Sequence, residues 1–299
     1  MNSSLKPSTA AMLSLPPLLW AGNAIVGRLC SDLISPFALN LLRWGIAFVV
    51  LLPLAWKVLR KDSPIWPLWR RYMLLGLLGI GCYNALLYLA LKTSTPLNVT
   101  LVSSSMPVWM LAIGRLCWGI SVSRRQLYGA LLSILGVIVV MSHGDLHSLL
   151  NLHFVAGDLF MVLPTISWAF YTWLLSRTQE PREVKAHWAS FLLAQMVFGL
   201  LWSALFTVGE VAAGQFRFVA GWPLLSALLF IAIGPAILAY RFWGMGVERS
   251  TPAIAGFFGN LIPIFTALLS ILVLGETPHL YHGIAFALIV AGILVSSRK

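Results

Sequence analysis

The chain has 299 residues, of which 59% are apolar and only 10% charged, with a mean hydropathy of +0.88. A soluble domain carries about 25% charged residues. This composition therefore excludes a water-exposed globular protein and places the chain in a bilayer. The net charge of +11 would suggest nucleic acid if the chain were soluble. In a membrane protein the question becomes where the cations sit.

Backbone polar groups in hydrocarbon are satisfied only in helices or closed barrels. Barrel strands alternate over segments of about 10 residues; the apolar runs here are longer and do not alternate. The expected fold class is all-α integral membrane. Runs broken by Pro, Gly or charge predict ten transmembrane helices, at 11–30, 35–56, 72–91, 97–118, 126–142, 154–176, 187–209, 222–246, 253–274 and 279–296. The first run has one lysine before it and no small-residue cleavage site, so it is expected to remain as an uncleaved span.

In chain order, a few polar and aromatic residues at helical spacing mark candidate cavity faces. The first helix has Trp20 and Asn23 at i, i+3. The second holds Arg43, about 12 Å from its outer end at 1.5 Å per residue. The basic, Trp-rich loop 57–71 reads as an interfacial anchor. The third helix has Asn84 and Tyr88 at i, i+4, and its Gly76, Gly79 and Gly81 read as helix packing. The fourth carries Asn98, Ser105 and Trp109 at i, i+7, i+11, with Ser104 beside them. The sixth has Trp168 and Tyr171 at i, i+3; in the eighth Arg241 reads as a snorkelling residue; the ninth carries Asn260. Together these residues would line an apolar, aromatic cavity with a few polar points.

With the N-terminus inside, the inner segments hold 15 Lys and Arg residues and the outer segments three, Arg28, Lys92 and Arg217. That asymmetry follows the positive-inside rule and agrees with an even number of spans. It also accounts for the net charge through anionic lipid and cytoplasm rather than nucleic acid.

"STPLNVTLVSSSMP" at 94–107 has a counterpart, "STPAIAGFFGNLIP", at 250–263. The offset of 156 aligns 88–140 with 244–296 without a gap and maps Ser104 onto Asn260. Nine of these 53 positions are identical, among them Pro96, Pro107, Gly119 and Gly136 with their partners. Pro and Gly fix helix starts and close packing. The reading is two five-helix halves, 1–150 and 151–299, joined by the loop 142–153. Five is odd, so the second half inserts upside down. Inverted repeats rocking about a midplane site are a mark of secondary transporters.

"LLWAGNAIVGR" (18–28), "GDLFMVLPTISWAFYTWLLSR" (157–177) and "IPIFTALLSILVLGE" (262–276) resemble the span motifs of EamA-type proteins of the drug/metabolite transporter superfamily. The resemblance covers essentially the whole chain. The first half departs from it where Gly119-Ile120 stands in place of Gly-Glu. Within the family, the Trp and Tyr content and span order are most similar to the YddG-type exporters of aromatic amino acids. The resemblance implies a bacterial inner-membrane exporter, and the charge asymmetry with an even number of spans leads us to expect both termini in the cytoplasm.

All nine carboxylates and all six histidines fall in loops or near span ends, so no midplane proton carrier is evident. Cys30, Cys82 and Cys117 lack metal-site spacing and read as apolar fillers. Zincin, GxSxG and phosphate-loop motifs are absent, and no cofactor or metal is expected. The function expected is export of small amphipathic metabolites, including aromatic amino acids, by alternating access and without obligatory proton coupling. The alternative is efflux of drugs or lipophilic cations, which an acidic cavity would favour. A membrane enzyme or scaffold would need a reactive pair or a soluble partner loop.

Overall fold

The computed structural model describes residues 6–94, 99, 102–142, 145, 156–177, 184, 187–274 and 279–297. The described chain is helical, with one isolated bridge between Ile34 and Phe218. The principal helices are α1 (Pro7–Leu29), α2 (Pro36–Ala55), α3 (Trp69–Thr93), α4 (Met106–Trp118), α5 (Arg124–Met141), α6 (Val162–Ser176), α7 (Trp188–Ala212), α8 (Trp222–Arg249), α9 (Pro252–Gly259), α10 (Leu261–Leu274) and α11 (Leu280–Ser297). Seven stretches among the described residues are long and apolar enough to cross a membrane: α1, α2 with its 3-10 extension to Leu59, α3, α7, α8, Pro252–Leu269 and α11. The helices at the expected spans 97–118, 126–142 and 154–176 fall outside that set.

Local chemistry explains the helix starts. The Ser-Thr-Pro at 250–252 opens α9: Thr251 Oγ1 accepts from the Ile254 N–H at 3.2 Å, and Pro252 occupies the first turn, where its missing N–H costs nothing. α4 ends on Gly119 at φ +65°, a left-handed cap that a side chain would strain. At Asn260 the chain turns between α9 and α10, and at Ser104–Ser105 it turns ahead of α4. These two breaks lie at the 156-residue offset.

The same offset recurs in other element bounds. α3 contains a π-helical stretch at Gly76–Cys82 and α8 one at Ala232–Leu238. The α-helical continuations are Tyr83–Thr93 and Ala239–Arg249. α5 starts at Arg124 and α11 at Leu280.

α5 and α11 pack antiparallel through small residues. A Cβ on Gly129 would stand 2.7 Å from the Gly292 carbonyl oxygen, and one on Gly136 would stand 2.8 Å from that of Ala285. Gly292 is the offset partner of Gly136, and Ala285 that of Gly129. Such i-to-j, j-to-i contacts characterise a two-fold relation. Small residues let backbones approach where lipid supplies no hydrophobic drive between helices.

The two ends of the bundle differ. One end joins the loop after α1 to the loop after α7: Ser35 N–H donates to the Arg217 carbonyl at 3.0 Å, and Val219 N–H to that of Leu33 at 2.7 Å. There Glu210 of α7, 5% exposed, caps α2 by accepting from Ser35 Oγ at 2.6 Å, Phe37 N at 3.2 Å and Ala38 N at 3.1 Å. The opposite end is basic: Arg70, Arg71, Arg115, Arg124, Arg125 and Arg249 lie at or beside helix ends there. The core runs between them through Leu13, Trp44, Tyr72, Ile80, Met110, Trp168, Leu193, Trp243 and Phe257. Outward residues such as Leu54, Leu201, Leu205, Val208, Leu229 and Ile233 stay exposed. Apolar residues left on helix surfaces are what lipid contact requires.

Candidate functional site

Arg43 is fully buried in α2, seven residues from the helix start. Its Nη1 donates to Tyr88 Oη at 2.9 Å and to Asn23 Oδ1 at 3.4 Å. Tyr88 Oη donates to Asn23 Oδ1 at 2.7 Å, and Asn23 Nδ2 to Asn84 Oδ1 at 3.4 Å. Gly27 makes room for this contact, since a Cβ there would meet the Tyr88 ring at 2.8 Å. Asn23, Arg43, Asn84 and Tyr88, expected from α1, α2 and α3, thus converge on one cluster. Among the described residues Arg43 Nε and Nη2 have no hydrogen-bond partner, and the guanidinium lies 5.2 Å from the Trp44 ring. A buried cation without a counter-charge is costly unless something compensates it.

Toward the basic end lies an aromatic cluster. Trp168 sits 5.1 Å from Trp20, 5.0 Å from Tyr83, 4.9 Å from Tyr171, 5.2 Å from Tyr240 and 5.8 Å from Trp243, centroid to centroid. Trp44 reaches Tyr240 at 4.9 Å and so joins this cluster to the arginine. Edge and tilted pairs add about 0.5–1.5 kcal/mol each beyond burial. Two polar edges are satisfied as burial demands, Trp243 Nε1 donating to Thr172 Oγ1 at 3.2 Å and Tyr171 Oη to Gln195 Oε1 at 2.9 Å, whereas buried Trp44 Nε1 has no hydrogen-bond partner among the described residues.

The π-helical stretches supply acceptors. A π turn displaces carbonyls from the regular ladder, and such turns are common at functional sites. Tyr240 Oη donates to the Gly79 carbonyl, and Trp20 Nε1 to the Pro235 carbonyl at 3.2 Å. Gly79 and Pro235 are offset partners. Gly79, read from sequence as a packing residue, also lets the Tyr171 ring approach, since a Cβ there would meet it at 2.6 Å.

Ser105, Trp109 and Asn260, expected from the fourth and ninth spans, do not join these contacts. Trp109 Nε1 donates to Ser105 Oγ at 3.1 Å, and Ser105 Oγ to the Val102 carbonyl at 2.6 Å, so this pair satisfies itself locally. Ser104 is buried at the turn before α4. Asn260 is fully buried at the turn between α9 and α10, with Nδ2 and Oδ1 both lacking a partner among the described residues. Asn98 lies outside the described residues.

The centre is closed. Asn23, Arg43, Asn84, Tyr88, Trp168 and Tyr171 are each at most 3% exposed. A cavity of about 70 Å³ approaches the aromatic cluster from the basic end, bounded by Tyr171, Trp188, Gln195, Tyr240, Arg241 and Glu248. It holds a water or two, not a metabolite. Arg241, expected to snorkel, is half-buried there with its guanidinium 4.4 Å over Trp188.

Trp44, Tyr83, Gln195, Tyr240 and Trp243 were not singled out from sequence. One signal could have found Tyr240: the 156-residue offset carries Asn84 onto it. Nothing in the sequence marked Glu210, whose partners lie more than 170 residues away.

A solved crystal structure superposes with a TM-score of 0.71 over 97% of this chain and 96% of its own, at 22% identity, a likeness of fold. The inner-membrane transporter YedA of Escherichia coli is 26% identical over 99% of this chain and 92% of its own. An uncharacterized transporter of Archaeoglobus fulgidus is 25% identical over 100% and 99%. The aromatic amino acid exporter YddG of Ancylobacter novellus is 24% identical over 97% of each chain. The EamA-like transporter family model matches residues 8–142 and 155–298, nearly the whole chain. Helices that present apolar side chains outward around a buried core of aromatic and polar groups are thus those of a multi-pass membrane protein, and the chain belongs to the EamA-like transporter family.

Proposed function

We propose that the chain is a ten-helix secondary transporter of two inverted halves, 1–150 and 151–299. It exports small amphipathic metabolites, aromatic amino acids among them, across a bacterial inner membrane with both termini cytoplasmic. The matching π-helical stretches at the 156-residue offset and the reciprocal α5–α11 contacts support the inverted repeat. The excess of cations at one end supports the orientation.

The observation that carries the reading is the cluster in which Trp20, Trp44 and Tyr83 of the first half meet Trp168, Tyr171, Tyr240 and Trp243 of the second. A site built by both halves opens to one side or the other as they rock. Stacked rings suit an aromatic side chain; Arg43, Asn23, Asn84 and Tyr88 supply polar contacts for its head group. The closed centre is the occluded stage of that cycle. Among the described residues no carboxylate hydrogen-bonds within either cluster, which accords with transport that needs no proton carrier there. Arg43, a buried cation with no carboxylate hydrogen-bonded to it among the described residues, disfavours lipophilic cations.

Counterflow in proteoliposomes tests this. Vesicles loaded with unlabelled phenylalanine should accumulate labelled phenylalanine at equal pH and zero potential. Accumulation of cations instead, or uptake only under a pH gradient, would replace this reading with proton-coupled efflux.

A further inference from the structure

Building on the reading of the central cluster as the substrate site, we infer that the site selects ligands of net charge −1, aromatic monocarboxylates, over zwitterions of the same size. Export then carries one negative charge outward per cycle.

The argument starts from Arg43. Its hydrogen bonds all leave from Nη1 and reach neutral groups, Asn23 and Tyr88. Nε and Nη2 stay unpartnered among the described residues at full burial. Those two nitrogens share one edge of the guanidinium, the edge that binds a carboxylate through two parallel bonds. The protein thus orients Arg43 by one nitrogen and keeps its bidentate edge free.

Charge balance then decides the ligand class. No described carboxylate hydrogen-bonds to Arg43, and the described ion pairs Arg60–Asp62 and Arg217–Asp32 lie at the exposed ends. Glu210, the buried carboxylate near the end of α7, is engaged by Ser35, Phe37 and Ala38. With a zwitterion the buried site keeps a net charge of one; with a monoanion it becomes neutral. Net buried charge is penalised in a medium of low dielectric constant. A monoanion also needs no acceptor for an ammonium group. The aromatic walls around Trp168 require that the remainder of the ligand be a ring.

Moving an anion outward gives a driving force that needs no proton. A potential of 100 mV, inside negative, concentrates a monoanion outside by about 50-fold at equilibrium. This accords with a centre lacking a described titratable carboxylate.

Three probes share a benzyl group and differ in charge at neutral pH: phenyllactate (−1), phenylalanine (0) and phenethylamine (+1). Each is loaded into proteoliposomes, and net efflux is followed with the potential clamped by potassium and valinomycin. Phenyllactate efflux should accelerate with an inside-negative potential, produce an outward movement of negative charge and saturate. Phenylalanine efflux should be slower and insensitive to potential. Arg43→Gln should lower phenyllactate efflux by about tenfold, as loss of a charge-assisted bidentate contact implies, with a smaller effect on phenylalanine. Arg43→Lys keeps the charge without the fork and should fall between them. If Arg43→Gln does not fold, the wild-type comparison of the three probes still decides. Phenylalanine efflux without potential-driven phenyllactate efflux overturns the inference and leaves the proposed function standing. Flux of neither overturns both.

Discussion

Glu210 Oε2 accepts a hydrogen bond from Ser35 Oγ at 2.6 Å, joining the end of α7 to the start of α2 across 175 residues of chain. The same carboxylate takes the N–H groups of Phe37 and Ala38, which α2 cannot satisfy itself. An anion at a helix N-terminus also meets the positive end of the helix dipole. The contact is therefore a cap lent by another helix. Glu210→Ala should destabilise the protein by about 2 kcal/mol, since it leaves buried donors unpaired. Glu210→Gln keeps an acceptor oxygen and should cost less. Melting in detergent checks the order; equal midpoints for wild type and Glu210→Ala would show that the cap contributes nothing.

Packing between α5 and α11 offers a sharper steric test. A Cβ on Gly292 would stand 2.3 Å from Ser133 Oγ and 2.6 Å from the Gly129 carbonyl oxygen. The second obstacle is backbone and cannot rotate away, so the helices must separate. Gly292→Leu should cost about 2–3 kcal/mol as overpacking. By contrast, Gly45 in α2 has nothing within 4 Å of its ideal Cβ. Gly45→Ala should stabilise by about 0.5–1 kcal/mol through helix propensity. Opposite shifts in melting midpoint are expected; a stable Gly292→Leu protein would contradict the close packing.

How much of this was legible beforehand depends on the range of each interaction. Helical periodicity and composition marked most of the described helices to within a few residues, because burial in lipid leaves few alternatives; the expected spans 97–118, 154–176 and 253–274 are instead interrupted, with α4 starting at Met106, α6 at Val162 and α9 giving way to α10 at Asn260. The cluster of Asn23, Arg43, Asn84 and Tyr88 was legible because polar groups in apolar runs stand out. The local pairing of Trp109 with Ser105 was not, because i, i+4 spacing fits a cavity face and a self-satisfied pair alike. The aromatic members Trp44, Tyr83 and Trp243 were hidden for another reason. Any of the thirteen Trp residues could anchor at an interface, and only the tertiary arrangement tells which stack. The π-helical stretches have no local signature, although their recurrence at the offset was implicit in the repeat.

Trp168 is the hub of the aromatic cluster, with five ring partners within 6 Å. Trp168→Ala would open a large void and cost about 3–5 kcal/mol, confounding any transport measurement. Trp168→Phe keeps a ring and is the better probe. It should raise the half-saturating concentration of an aromatic substrate more than it lowers the maximal rate. The opposite split would assign Trp168 to the conformational step rather than to binding.

The proposed orientation rests on the unequal ends of the bundle. Each Lys or Arg near the cytoplasmic leaflet contributes about 1 kcal/mol of attraction to anionic lipid. Placing Arg70, Arg71, Arg115, Arg124, Arg125 and Arg249 inside is therefore favoured over the reverse. With the native cysteines replaced by serine, a single cysteine is introduced at exposed Ser121, beside the basic end, or at exposed Gln215, in the loop after α7. A membrane-impermeant maleimide should label Gln215→Cys in intact cells and Ser121→Cys only after permeabilisation. The reverse pattern would invert the assignment. It would also place the Arg43 cluster nearer the cytoplasm, because that cluster lies toward the end carrying Gln215.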